Sequence, residues 1–236
     1  MFSESAELYD AIYGAFKDYA KESAEIVALL RVASPTVRTV LDVGCGTGEH
    51  VRHLRESHGL AVDGLDLDAG LLAVARSKVP AAQFFEGDMT TFALGRKYDA
   101  VMCMFSSIGY VRTLERVAAV LKCFRDHTNA GGVIVVEPWL PPGTLRLGAG
   151  DVKHGEAKGV RVARTSHVAV KGRLSTLTFD YEITDAAGTR HSREVHELGL
   201  FTPGEMLSSF EAAGLDVTLD PNGPMGRGLY TARVRA

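Results

Sequence analysis

Between residues 39 and 139, five short and almost wholly apolar runs alternate with stretches of helical period: TVLDVGC (39–45), AVDGLD (61–66), AQFFEGD (82–88), YDAVMCMF (98–105) and GVIVVEPW (132–139). No other feature restricts the fold as much. A strand that reads as one continuous apolar run is buried on both faces, as a parallel sheet between two helical layers requires. The clearest intervening helix carries Leu114, Val117, Ala118, Leu121 and Phe124 on one face and stops before Asn129 and the Gly131–Gly132 pair. Strand then helix, repeated, predicts an α/β chain with a doubly wound, mostly parallel sheet. With 236 residues, 46% of them hydrophobic, the chain can bury its core as one domain with an elaboration.

The alternation breaks after residue 139. Pro138, Pro141, Pro142 and Gly143 end the fifth strand, and the segment to about residue 159 reads as a loop or lid. VRVARTSHVAV, RLSTLTFDYEIT and TRHSREVHELGLF then alternate polar and apolar residues around the turns KG and DAAG, which predicts antiparallel strands packed over the sheet. Thr202, Pro203 and Glu205 form a capping box with proline at the first helical position, so a helix runs from there to about Gly214. LDVTLD and GLYTARVR supply two last strands, for a seven-stranded sheet.

Charge narrows the partners. Lys plus Arg number 26 against 29 Asp plus Glu, with no basic run, so nothing favours nucleic acid or an anionic membrane over a small molecule. The start, MFSESAELYD, lacks a basic segment leading into an apolar one, and no stretch approaches the ~20 apolar residues of a membrane span, so the expected location is cytoplasmic. Cys45, Cys103 and Cys123 read as buried thiols, and His53 and His58 lack metal-ligand spacing, so no metal is expected.

The first strand-to-helix turn, LDVGCGTGEH (41–50), carries the chemistry. Gly44, Gly46 and Gly48 let the backbone turn tightly and approach a ligand at the C-terminal edge of the sheet. The spacing G-x-G-x-G, followed by Glu49 and no lysine, fits neither the dinucleotide fingerprint nor the phosphate-binding loop. Glu49 at the helix start would repel a pyrophosphate and Asp42 just before the loop suits a cation, which points to S-adenosylmethionine with its sulfonium and ammonium groups.

Here the chain resembles the class I methyltransferases, Rossmann-like enzymes whose first motif, D-x-G-x-G-x-G, is matched by Asp42, Gly44, Gly46 and Gly48. Asp66 closes the second strand and can accept both ribose hydroxyls. Asp88 closes the third and resembles the family's acceptor of the adenine amino group, with Met89 and Leu67 beside the base. A closer resemblance is to nucleotide-sugar N,N-dimethyltransferases of the desosamine and mycaminose type. It rests on AELYD, KDYA, GDM, MFSSIGY (104–110), VIVVEPW, RTSH (164–167) and GPMGRGL, with departures at Phe2, where some relatives have tyrosine, and Leu140, where some have a second tryptophan. The resemblance implies that Tyr9 and Tyr19 close over the methionine end of the cofactor and that Met104 lies near its adenosine. Phe2, Ser107, Trp139, His167 and Arg227 fall on the substrate side, with Arg227 gripping a pyrophosphate. S-adenosylhomocysteine would be the second product, the substrate a dTDP-linked aminosugar in antibiotic biosynthesis, and a homodimer remains open; the alternatives are an N- or O-methyltransferase of another small molecule, such as a glycine-like amine, or a non-catalytic S-adenosylmethionine-binding protein.

One methyltransferase domain over 1–236 is therefore expected: an N-terminal helical lid (1–30), a cofactor-binding core (31–139), a loop and antiparallel substrate-side insertion (140–201), and a final helix with the last two strands (202–236). In-line displacement by an amine needs alignment more than a strong base. Tyr110 and Glu137 are the expected catalytic residues, Tyr110 orienting the amine or relaying its proton and Glu137 either adding polarity on the substrate side or making a structural hydrogen bond near Pro138. Arg164 and His167 sit three apart on one strand and must face opposite ways. His167 is expected toward the substrate and Arg164 toward solvent.

Overall fold

The computed structural model describes residues 6–150, 152–157, 159–224 and 226–235, so Phe2 lies outside the described residues. Seven strands form the main sheet: β1 (Thr39–Val43), β2 (Ala61–Asp66), β3 (Phe84–Glu86), β4 (Tyr98–Cys103), β5 (Thr128–Val136), β11 (Leu215–Asp220) and β12 (Leu229–Val234). Their order is β11-β12-β5-β4-β1-β2-β3, and only β12 runs antiparallel to its neighbours. Strand order reverses between β1 and β4, which opens a crevice at their C-terminal ends.

The apolar runs follow from this layering. Leu41, Val101 and Ile134 face one layer with α5 (Leu114–Asp126) and α6 (Pro203–Ala212), where Phe124 and Phe210 are fully buried. Val40, Ala100 and Val133 face the other, with α2 (Tyr19–Ala33), α3 (Glu49–Glu56) and α4 (Ala69–Lys78). Fully burying one such aromatic contributes roughly 1.5 to 3 kcal/mol, so the two layers hold the strand ends firmly. The expected capping box is present: Thr202 Oγ1 accepts from the Glu205 N–H and Glu205 accepts from the Thr202 N–H.

Two boundaries differ from expectation. β5 begins at Thr128, where NAGG reads as a stop, because a register shift against β4 between Tyr98 and Ala100 takes up the glycine pair, with Gly131 at φ 71°. Within the expected loop, β6 (Gly148–Ala149) and β7 (Lys153–Ala157) pair with β8 (Val160–Lys171). KHGEA has no apolar alternation, so only the partner strand makes it extended. β8, β9 (Leu174–Asp185) and β10 (Gly188–Gly199) form the antiparallel sheet as expected. Helix α1 (Ala6–Tyr13) packs Leu8 and Ile12 on the inner face of that sheet, against Val162, Phe179 and Tyr181. It comes so near β7 that a Cβ at Gly155 would lie 2.3 Å from the Ala11 carbonyl oxygen. No described helix is long and apolar enough to cross a membrane.

Candidate active site

The β1–α3 turn takes its shape from three left-handed glycines, Gly44 (φ 75°), Gly46 (φ 55°) and Gly48 (φ 76°). A side chain at Gly44 would meet Ser107 Cβ at 2.6 Å, so glycine is required for space as well as for φ. Asp66, at the end of β2, organises the loop: its Oδ2 accepts from the Gly46 N–H at 2.8 Å and its Oδ1 from the Asp68 N–H at 2.9 Å. Burial pushes its carboxyl above the usual range, against these hydrogen bonds. Asp42 is more strained. It is buried, its Oδ2 has no hydrogen-bond partner among the described residues, and burial and then the Asp66 charge push its carboxyl up to about 8. Asp88 is desolvated too, yet Thr90 (2.8 Å from its backbone N, 2.7 Å from Oγ1) and Arg116 (2.9 Å) hold it below the ordinary range.

Gly44, Gly46, Asp66 and Asp88 line one cavity of about 350 Å³ at the sheet crevice, while Asp42 stays buried outside its walls. Tyr9, Leu67, Met89, Ser107 and Tyr110 complete the walls named by the sequence, Ser107 and Tyr110 coming from a short 3-10 turn, Ser107–Val111. Before that turn, Phe105 (φ 53°) and Ser106 (φ 65°) are left-handed without being glycine, a strain that must be held by neighbours. Glu137 supplies part of that hold, its Oε2 accepting from the Phe105 N–H at 2.7 Å, and Ser106 Oγ donates to the Pro138 carbonyl at 2.7 Å. Arg227 is turned inward rather than solvated: Nη1 donates to Ser106 Oγ at 2.8 Å, lies 3.9 Å from Glu137 Oε1, and the guanidinium rests between Phe105 and Trp139, 5.2 Å from each ring. Trp139 is fixed by its indole N–H, which donates to Ser175 Oγ at 2.9 Å.

Other candidates lie apart. Met104 is buried in the core beneath the cavity, and Tyr19 packs edge-on to His50 at 5.1 Å, outside the cavity walls. Arg164 corrects the reading made of it: it is buried, its guanidinium 4.3 Å from the Phe179 ring and 5.0 Å from the Tyr13 ring. His167 is the exposed member of the pair, on the opposite face of β8, and does not line the cavity. Strand parity separates the two residues without saying which face is inner.

The sequence reading missed two buried polar groups. Lys17 pairs with Glu22, which also lies 3.1 Å from His50 Nε2, behind the glycine loop. On the inner face of β10, His196 Nδ1 meets the Tyr110 hydroxyl at 3.1 Å and Glu194 accepts from Tyr181 OH at 3.0 Å. Glu194 and His196 among the apolar positions of REVHELGLF were the available signal.

The cavity fits S-adenosylmethionine. A buried carboxylate oxygen without a partner, a second carboxylate one strand away, and a backbone stripped of Cβ atoms suit a cationic ligand with a ribose. Comparison with known proteins agrees. Residues 40–132 match the methyltransferase domain family. Over 97% of its length and 90% of the relative's, the chain is 44% identical to the dTDP-3-amino-3,6-dideoxy-alpha-D-glucopyranose N,N-dimethyltransferase of Streptomyces fradiae. The chain belongs to the nucleotide-sugar N,N-dimethyltransferases. Among solved structures, Streptomyces venezuelae DesVI superposes with a TM-score of 0.91 at 40% identity, covering 98% of both chains. The S-adenosylmethionine-bound aminopentose methyltransferase CalS10 from Micromonospora echinaspora gives 0.85 at 34% identity, covering 96% of both. In this methyltransferase the glycine loop lies in the α/β core, and the antiparallel sheet closes over Tyr110.

Proposed function

We propose that this chain is a cytoplasmic enzyme that N,N-dimethylates the amino group of a dTDP-linked deoxyaminosugar in antibiotic biosynthesis. The observation that carries the reading is the placement of Tyr110 on the wall of the acidic glycine-loop cavity, with the Arg227–Glu137–Trp139 cluster joined to the same turn through Ser106. When bound, S-adenosylmethionine supplies a methyl group on a positively charged sulfur. Asp42 and Asp66 offset that charge, and Asp66 and Asp88 hold the ribose and adenine. Tyr9 and Tyr110 cover the reacting end and exclude water. Burial keeps the Tyr110 phenol well above its ordinary range, so Tyr110 acts as a protonated hydrogen-bonding group that orients the amine rather than as a phenolate base. Alignment of this kind can supply roughly 7 to 11 kcal/mol in favourable systems.

Arg227 grips the sugar's pyrophosphate with the guanidinium N–H groups that Ser106 leaves available, while Trp139 stacks beside it. Steady-state kinetics on Arg227→Ala tests this. KM for the nucleotide sugar should rise about 10- to 100-fold, the worth of a charge-assisted contact, with cofactor affinity unchanged. Arg227→Lys should recover part of the loss. An Ala variant that still prefers the nucleotide-linked sugar over the free sugar as strongly as the parent would leave Arg227 with only its contacts to Ser106 and Glu137.

A further inference from the structure

We propose that His196, backed by Glu194, is a relay residue of the methyl-transfer site: it takes the hydroxyl proton of Tyr110 as Tyr110 takes a proton from the newly methylated amine. The proposal rests on the amine-methylating function above. Its geometry is independent of any ligand. Residues 194 and 196 alternate onto the inner face of β10, and both side chains are buried. His196 lines the cavity, with Nδ1 3.1 Å from the Tyr110 hydroxyl and Nε2 3.5 Å from Glu194 Oε2. That carboxylate oxygen also accepts from Tyr181 OH, and the Phe179 ring, 5.1 Å from the imidazole, limits its rotation. Other ionisable groups face the array from each packed element: Tyr13 on α1, Arg164 on β8 and Asp66 across the cavity.

The proton balance makes such an array useful. The amine nitrogen gives its lone pair to the new N–C bond, the electrons of the S–C bond stay on sulfur, and nitrogen is left as an ammonium. One proton passes from that nitrogen to the Tyr110 oxygen while the Tyr110 proton passes to His196 Nδ1. The positive charge then rests on an imidazolium facing Glu194. Reverse hops after product departure return the proton to water in the opened cleft. A secondary amine must regain its lone pair before a second transfer, so the relay must act between the two transfers.

The resting tautomer gives a readout that needs no sugar. In protein labelled with ¹⁵N-histidine, His196 should show a pyridine-type Nδ1 and a pyrrole-type Nε2; the opposite tautomer, with Nδ1–H donating to Tyr110, overturns the relay. Kinetics follow. His196→Asn keeps a hydrogen-bonding atom near the Nδ1 position but cannot take up a proton, so kcat should fall about 10- to 100-fold, with KM and cofactor Kd within about twofold and the second methylation slowed most. The isosteric Glu194→Gln should lower kcat in the same sense and carries the kinetic test if His196→Asn does not fold. Combined with Tyr110→Phe, His196→Asn should add little further loss, as members of one array do. An unchanged kcat and pH profile in a folded His196→Asn variant overturns the proposal. A parent enzyme that methylates no aminosugar removes the substrate reading instead, while the tautomer still decides whether the array is built as a relay.

Discussion

Asp42 is the carboxyl least suited to carrying a charge, buried behind the cleft near Asp66 with one oxygen unpartnered among the described residues and pushed up to about 8. Its folded-state affinity for a proton exceeds the unfolded one, so the folded state binds more protons between about pH 4 and pH 8 and loses stability as pH rises through that window. Asp42→Asn should therefore raise the Tm of the cofactor-free protein, and the gain should grow between pH 6 and pH 8, by at most about 1.4 kcal/mol per pH unit. Thermal scans at the two pH values check this. The same substitution should weaken cofactor binding, because a cation needs the ionised carboxylate. Parent affinity should increase from pH 6 to pH 8, with proton release visible by calorimetry in buffers of different ionisation enthalpy, and Asp42→Asn should lose most of that slope. For Asp66→Asn, which disturbs a carboxylate already holding Gly46 and Asp68, calorimetry should show a loss of roughly 1.5 to 3 kcal/mol. Asp42, Asp66 and Asp88 were legible because each stands at a strand end, where a polar residue breaks an apolar run. Arg164 and His196 were not, since alternation in an antiparallel strand identifies two faces without naming the inner one.

At the scale of elements, the glycine loop and the 105–106 turn are built against each other. Gly44 has room only for hydrogen against Ser107, and Ser107 follows two left-handed residues tied down by Glu137, Arg227 and Pro138. Gly44→Ala imposes both a clash and a left-handed φ costing roughly 1 to 2 kcal/mol, so it should displace the 3-10 turn. Cofactor affinity and turnover should fall together while far-UV circular dichroism stays near that of the parent; preserved affinity would show that the turn gives way freely. The parallel strands inside the sheet could be read from composition because both their faces are buried, and the capping box of α6 because its donors and acceptors are local. β6 and β7 were hidden, since GA and KHGEA become strands only through pairing with β8.

On the scale of the whole molecule, α1 joins the two sheets. Tyr9 lines the cofactor cavity, Leu8 and Ile12 bury themselves on the antiparallel sheet, and Asp10 reaches Thr47 of the glycine loop at 2.6 Å and Lys78 at 2.6 Å. The N-terminal segment thus covers the cofactor side while β10 brings His196 to Tyr110. One cleft, walled by both sheets, accounts for an enzyme that must exclude water around a reactive methyl group and still admit a nucleotide-linked amine. The most direct measurement is a product assay by mass. The protein is incubated with S-adenosylmethionine and dTDP-linked 3-amino and 4-amino deoxysugars, alongside a simple glycine-like amine and a phenol. Successive gains of one and then two methyl groups on a dTDP-aminosugar, with none on the simple amine or phenol, is the predicted result. Cofactor binding by calorimetry with no methylated product from any aminosugar would contradict the account.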